Sequence, residues 1–236
     1  MTETIAALLL AHVLADFVLQ SNRMAATKRQ VGTLALHGAF VLATAVLATG
    51  NLSPWLLALT AAHLAIDLVK SRLPATLWPF LADQAAHGVT IVACAALAPD
   101  QWPTGLWSGH PLLPGLMTIA AGAVLATRAG GFAIGQLMAP WAAHAPAGLP
   151  GGGRTIGHLE RGMIFLLILT GQAQSIGFLI AAKSVLRFGS ISTEKEVSEY
   201  VIIGTLASFS WGIAVALATT ALLFHLPALG IRDLLP

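Results

Sequence analysis

The chain has 236 residues, of which 56% are hydrophobic and only 9% charged, and its mean hydropathy is +0.80. Soluble domains carry about 25% charged residues, so this composition points to an integral membrane protein with little room for a soluble domain. The formal net charge of +2 is too small to suggest a nucleic-acid partner, and the single cysteine, Cys94, excludes an intrachain disulfide and a thiolate metal cluster.

A membrane-spanning helix needs about 20 mainly apolar residues. The first run, residues 4–20, has the length but carries His12 and Asp16 in "AHVLADFVLQ". These two residues, and the missing charged leader, set it apart from a cleaved signal peptide. The second run, 33–50, holds His37. "NLSPW" then offers Ser53 as an N-cap with Pro54 at the first helical position, opening a short third run, 54–69. The fourth, 83–99, ends in the Pro/Gly loop "LAPDQWPTG". The fifth, 113–127, is again short. Residues 130–144 read as an extra crossing, a re-entrant piece or an interfacial helix. The Gly/Pro-rich loop near 146–154 lacks the Lys-Ser/Thr of a phosphate-binding loop. Runs 158–182 and 200–223 complete the set. The expected fold is an all-α, polytopic integral membrane helix bundle of about seven spans, or eight if 130–144 crosses. Residues 1–99 are expected to form a four-helix membrane domain, and 100–236 the C-terminal membrane helices.

Basic residues orient the chain. Arg23, Lys28 and Arg29 fall in the first loop, Lys70 and Arg72 in the third, Arg128 and Arg154 in the fifth. The second and fourth loops have none. Odd loops are therefore expected in the cytoplasm, and the N-terminus outside it. Residues 183–195 would then lie outside, unless 130–144 crosses.

The oddity of the first run is repeated. "AHLAIDLVK" places His63 and Asp67 four apart, with Lys70 three further on; "ADQAAHG" places Asp83 and His87 four apart. Residues at i and i+4 share a helical face. At 1.5 Å rise per residue, His12, Asp16, His37, His63, Asp67, Asp83 and His87 all fall in one slab of the cytoplasmic half of the membrane. Four imidazoles and three carboxylates suit one or two Zn²⁺-like divalent ions. The plainer reading is polar packing between helices. It has to explain why so many ionisable groups are kept at one depth, when each costs about 2.5–3.5 kcal/mol on insertion scales.

Beyond the first four runs lies a second polar set, which includes Glu160, Arg161, Lys183 and Arg187. Lys183 and Arg187 share a face in "AAKSVLRFGS", as a snorkelling basic end or as a contact for an anionic headgroup.

Together "HVLADFVLQ", "HLAIDLVK", "DQAAH", "GHLERG", "AAKSVLRF" and "EYVIIGTLAS" resemble the domain-of-unknown-function 3307 family of bacterial polytopic membrane proteins. The first three motifs span residues 11–87, the usual extent of that domain; the others resemble the C-terminal extension of longer members. The resemblance implies a multi-pass protein of the bacterial inner membrane and brings no activity with it.

Function therefore rests on the polar cluster. The first expectation is a metal-dependent hydrolase acting on a lipid-linked or anionic substrate at the cytoplasmic leaflet. Zn²⁺ or another divalent ion would sit on the seven His and Asp residues, with Asp16, Asp67 or Asp83 free to act as general base. Lys70, Arg23, Lys28, Arg161, Lys183 and Arg187 are the candidates for holding the anion. The alternatives are a zinc-type divalent-cation transporter, whose His₂Asp₂ site this pattern resembles, and a scaffold that uses the cluster only for packing.

Overall fold

A computed structural model describes residues 1–145, 148–188 and 195–229, which are helical and contain no strand. Helix α1 (Thr2–Leu14) runs into a π-helical turn (Ala15–Leu19). A short α2 (Asn22–Ala26) precedes α3 (Val31–Thr49), α4 (Pro54–Lys70) and α5 (Leu77–Leu97). Helix α6 (Leu113–Val124) passes through a second π turn (Leu125–Ala129) into α7 (Gly130–Met138) and a 3₁₀ turn (Ala139–His144). Helices α8 (Gly152–Leu169), α9 (Ile176–Phe188) and α10 (Lys195–Phe224) follow. Among the described residues, five helical runs are long and apolar enough to cross a membrane: Thr2–Leu19, Val31–Thr49, Leu77–Leu97, Leu113–His144 and Lys195–Phe224. At 17 residues, α4 sits at the short end of the spanning range.

Two boundaries differ from the sequence reading. Residues 130–144 are not a separate piece, because the chain stays helical from Leu113 to His144. The polar stretch around Arg128 reads as a loop, yet it forms the π turn. The carbonyls of that turn are taken up by side chains: Arg161 donates from Nε to Ala126 O (2.7 Å) and from Nη2 to Thr127 O (2.9 Å), and Trp211 donates to Leu125 O (2.9 Å). Conversely, the expected helix 158–182 is broken. Gly171 adopts φ 77°, and Gln172 N–H reaches back to Leu167 O (2.7 Å), a glycine-closed helix end. In an apolar run, a glycine reads equally well as a packing residue.

The described chain forms two compact units, Met1–Val124 with Ala221–Leu229, and Leu125–Thr220. In the first, α1 is innermost. Half of its span is buried, against 28% for α3 and 33% for α5. Its Ala7, Leu8 and Ala11 pack with Ala45, Leu56 and Ile91, small side chains letting the backbones come close. Helices α1, α3, α4 and α5 follow one another with alternating direction. The C-terminal ends of α1 and α4 therefore meet the N-terminal ends of α3 and α5, and the polar residues lie at that end.

In the second unit Arg161 is 2% exposed and, besides the two carbonyls, donates from Nη1 to Ser208 Oγ (2.9 Å). A lysine cannot reproduce a three-pronged contact. Arg161→Lys is expected to destabilise the protein by about 2 kcal/mol, measurable as a lowered unfolding temperature in detergent. Glu160 pairs with Lys183 (2.7 Å), whose ammonium also lies over the Phe209 ring.

Candidate metal centre

All seven residues of the slab meet inside the first unit. His12 and Asp16 come from α1 and its π turn, His37 from α3, His63 and Asp67 from α4, Asp83 and His87 from α5. None of the seven side chains is more than 7% exposed. The His12 and His63 ring centroids are 5.5 Å apart, and those of His63 and His87 4.2 Å.

Four atoms form the tightest group. His37 Nε2 lies 3.2 Å from Asp16 Oδ1 and 3.1 Å from Asp67 Oδ2. His63 Nε2 lies 3.2 Å and 3.4 Å from the same two oxygens. The two Nε2 atoms are 3.1 Å apart. Donors held about 2.0–2.1 Å from a tetrahedral ion sit about 3.3–3.4 Å from one another, so five of the six edges of such a tetrahedron are present. The alignment agrees with the distances: neither Asp16 Oδ1 nor Asp67 Oδ2 has a hydrogen-bond partner, despite imidazoles this close. The four residues each offer a donor atom within 4.8 Å of the others. Carboxylates bonded to the imidazoles for packing alone would instead lie in line with the ring N–H groups.

The pairing differs from helical spacing alone. His12 and Asp16 share a face, yet Asp16 turns to His37 and His63 and leaves His12 Nδ1 3.9 Å away. Asp16 sits in the π turn, where Gln20 N–H bonds to Ala15 O, an i to i−5 contact. Such widened turns re-aim side chains and recur at functional sites.

A surrounding layer holds the donors. Lys28 Nζ donates to Asp67 Oδ1 (2.6 Å), and Lys70 Nζ to Asp83 Oδ2 (3.1 Å). Gln84 donates to Asp83 Oδ2 (3.0 Å) with its amide nitrogen and faces His12 Nε2 (3.3 Å) with its amide oxygen. The Gln20 amide lies 3.2 Å from His37 Nδ1, and its oxygen would take that ring N–H after a half-turn of the amide. Arg29 ties the α2 loop to the end of α4 by two bonds to Ser71 O (3.1 and 2.6 Å), which places Lys28 over Asp67. Gln20 and Gln84 are not among the sequence-predicted site residues, yet both touch the cluster. Their signal was there to be read, since each is an amide in or beside a buried His–Asp motif.

The cations expected from sequence to hold an anion lie in different surroundings. Lys28 and Lys70 touch the cluster's carboxylates, and Arg23 is exposed on α2. Arg161 and Lys183 belong to the second unit and are engaged as described above. The Arg187 side chain lies outside the described residues.

Residues 4–104 match a family model described as "Protein of unknown function (DUF3307)". The chain carries a DUF3307 domain. All seven clustered residues fall within the match, as do Gln20, Lys28, Lys70 and Gln84. The DUF3307 match stops before α6, so the three C-terminal motifs lie beyond it. No curated protein and no solved structure matches the chain.

Proposed function

We propose that the DUF3307 domain is a metal-dependent hydrolase of a bacterial cytoplasmic membrane, with a Zn²⁺-like ion on Asp16, His37, His63 and Asp67. The observation that carries this reading is the set of four donors with five mutual distances of 3.1–3.4 Å, two of them buried carboxylate oxygens without an aligned hydrogen bond. A bound divalent ion lowers the pKa of its water to about 7. Asp83 Oδ1, also buried and without a hydrogen-bond partner, is the carboxylate that would serve as general base.

Two features favour an anionic, lipid-linked substrate. Lys28 and Lys70 already neutralise two of the three aspartates, so a divalent ion leaves the centre with positive charge, which suits a phosphate. A groove of about 330 Å³ also runs along α4 and α5, lined by Ala65, Ile66, Val69, Leu73, Pro79 and Ala82, with Lys70 and Asp83 in its wall. An acyl chain fits the apolar part while its phosphate meets Lys70. The basic first loop supports a cytoplasmic position for this end of the domain and an N-terminus outside. A reporter fused in that loop is expected to be active on the cytoplasmic side only.

The test compares wild type, His63→Ala and Lys70→Ala, purified without chelator and offered Zn²⁺, then assayed on vesicles containing phosphatidic acid. Wild type should hold metal and release phosphate. His63→Ala should lose most of the metal. Lys70→Ala should keep it and turn over the lipid phosphate at least tenfold more slowly. Near-zero metal in all three would leave polar packing as the explanation. Metal uptake into sealed proteoliposomes, without phosphate release, would favour transport.

A further inference from the structure

The cluster holds more donors than one ion uses. With Asp16, His37, His63 and Asp67 assigned, His12 Nδ1 and His87 Nε2 remain, both buried and without a hydrogen-bond partner. In each ring the other nitrogen is already engaged. His12 Nε2 donates to Gln84 Oε1 (3.3 Å), and His87 Nδ1 donates to the Asp83 carbonyl (2.8 Å). Each imidazole therefore carries its proton on the outside and turns a bare lone pair inward. Metal-ligating histidines are oriented in the same way, by an amide or carbonyl on the far nitrogen.

Asp16 connects the two sets. Its Oδ1 faces His37 and His63, while its Oδ2 is the oxygen nearest His12 Nδ1, at 3.9 Å. His12, Asp16, His63 and His87 each offer a donor atom within 4.8 Å of the others. Next to them is a cavity of about 20 Å³, bordered by His12, His63 and His87 and otherwise mainly by apolar side chains such as Leu8, Val41 and Ile91. A single water needs about 10–15 Å³, so the cavity takes one.

Packing accounts for part of this. The His12 and His87 rings are stacked, with centroids 4.8 Å apart and planes 24° from parallel. Stacking alone gives no reason to bury two bare nitrogens beside a carboxylate.

We propose a second divalent-cation position on His12 Nδ1, His87 Nε2 and Asp16 Oδ2, joined to the first by the Asp16 carboxylate. The inference rests on the metal-centre reading above and completes it. Four protein donors fill the first ion's tetrahedron, so a water would reach it only by expansion to five-coordination, whereas catalytic zinc commonly keeps three protein ligands and an open position. The second position has three protein ligands, and the cavity at its side is where a water can bind. Paired ions about 3.5–4 Å apart clamp the attacking and leaving oxygens of a phosphate ester.

Metal counting on the full chain in detergent, loaded with Zn²⁺ or Co²⁺ alone, tests the proposal. Wild type should hold two ions per chain, and His12→Gln/His87→Gln one. X-ray absorption of the loaded wild type should show a metal–metal distance of about 3.5–4 Å; this measurement stands even if the double variant fails to fold. One ion in wild type, retained by the double variant and without a metal–metal distance, would overturn the second position and leave the first intact. No bound metal in wild type would overturn both.

Discussion

Asp16→Asn is expected to weaken metal binding by more than 100-fold, the largest effect of any single change in the first unit. Losing a group that merely orients a ligand costs about 10–100-fold, and in the proposed centre Asp16 supplies the ligand atom itself. The substitution keeps the shape of the side chain and removes its charge. Stability without metal should change by only about 1 kcal/mol. Asp16 Oδ1 has no aligned hydrogen bond to lose, and Asp67 still faces the same two imidazoles. Isothermal titration with Zn²⁺, beside thermal unfolding in chelator, checks both halves. If the metal-free variant lost several kcal/mol while metal affinity held, Asp16 would be a packing residue.

Lys28→Met should behave in the opposite way. Asp67 is 1% exposed, and Lys28, 13% exposed, is its only cationic side chain other than the histidines among the described ion pairs. Removing one partner of a buried pair costs roughly 3–5 kcal/mol, because the other charge is left uncompensated. The metal-free protein should therefore lose about 3 kcal/mol. With Zn²⁺ bound, much of that loss should vanish, since the ion takes over the task of balancing Asp67. Unfolding temperatures of wild type and variant, each with Zn²⁺ and with chelator, give the comparison. An equal loss in both conditions would separate Lys28 from the metal.

Much of the site was legible in the amino-acid order. Four-residue spacing put His63 with Asp67 and Asp83 with His87 on common faces, and short loops between apolar runs put all seven groups at one level. Spacing describes one helix at a time, however, and the contacts that matter cross between helices. Asp16 Oδ1 lies 3.2 Å from His37 and from His63, while Asp16 Oδ2 stays 3.9 Å from His12, its partner by spacing, because the π turn widens α1 where Asp16 projects. Lys28 reads as a surface cation of a basic loop; only the Arg29 anchor on Ser71 shows that the loop folds back over Asp67. In the second unit Arg128 marks no loop, since Arg161 supplies the donors that keep the chain helical through 125–129. The helix break at Gly171 was hidden for a related reason, as glycine in a membrane segment signals close packing and chain reversal alike.

The closure of the centre would also set how fast an ion bound there, as proposed, is exchanged. Arg29 and Lys28 fasten the α2 loop over one end of a cluster whose side chains are almost wholly withdrawn from solvent. Release then waits on a local opening in which Lys28 leaves Asp67 and Arg29 leaves Ser71, and such openings have their own free energy, separate from global unfolding. On the proposed reading, the residence time of a bound ion would be governed by this latch rather than by the strength of a competing ligand. Stripping by chelator becomes independent of chelator concentration once the opening limits it. Arg29→Ala, which touches no donor atom, shortens the residence time while leaving the number of ions bound at equilibrium unchanged.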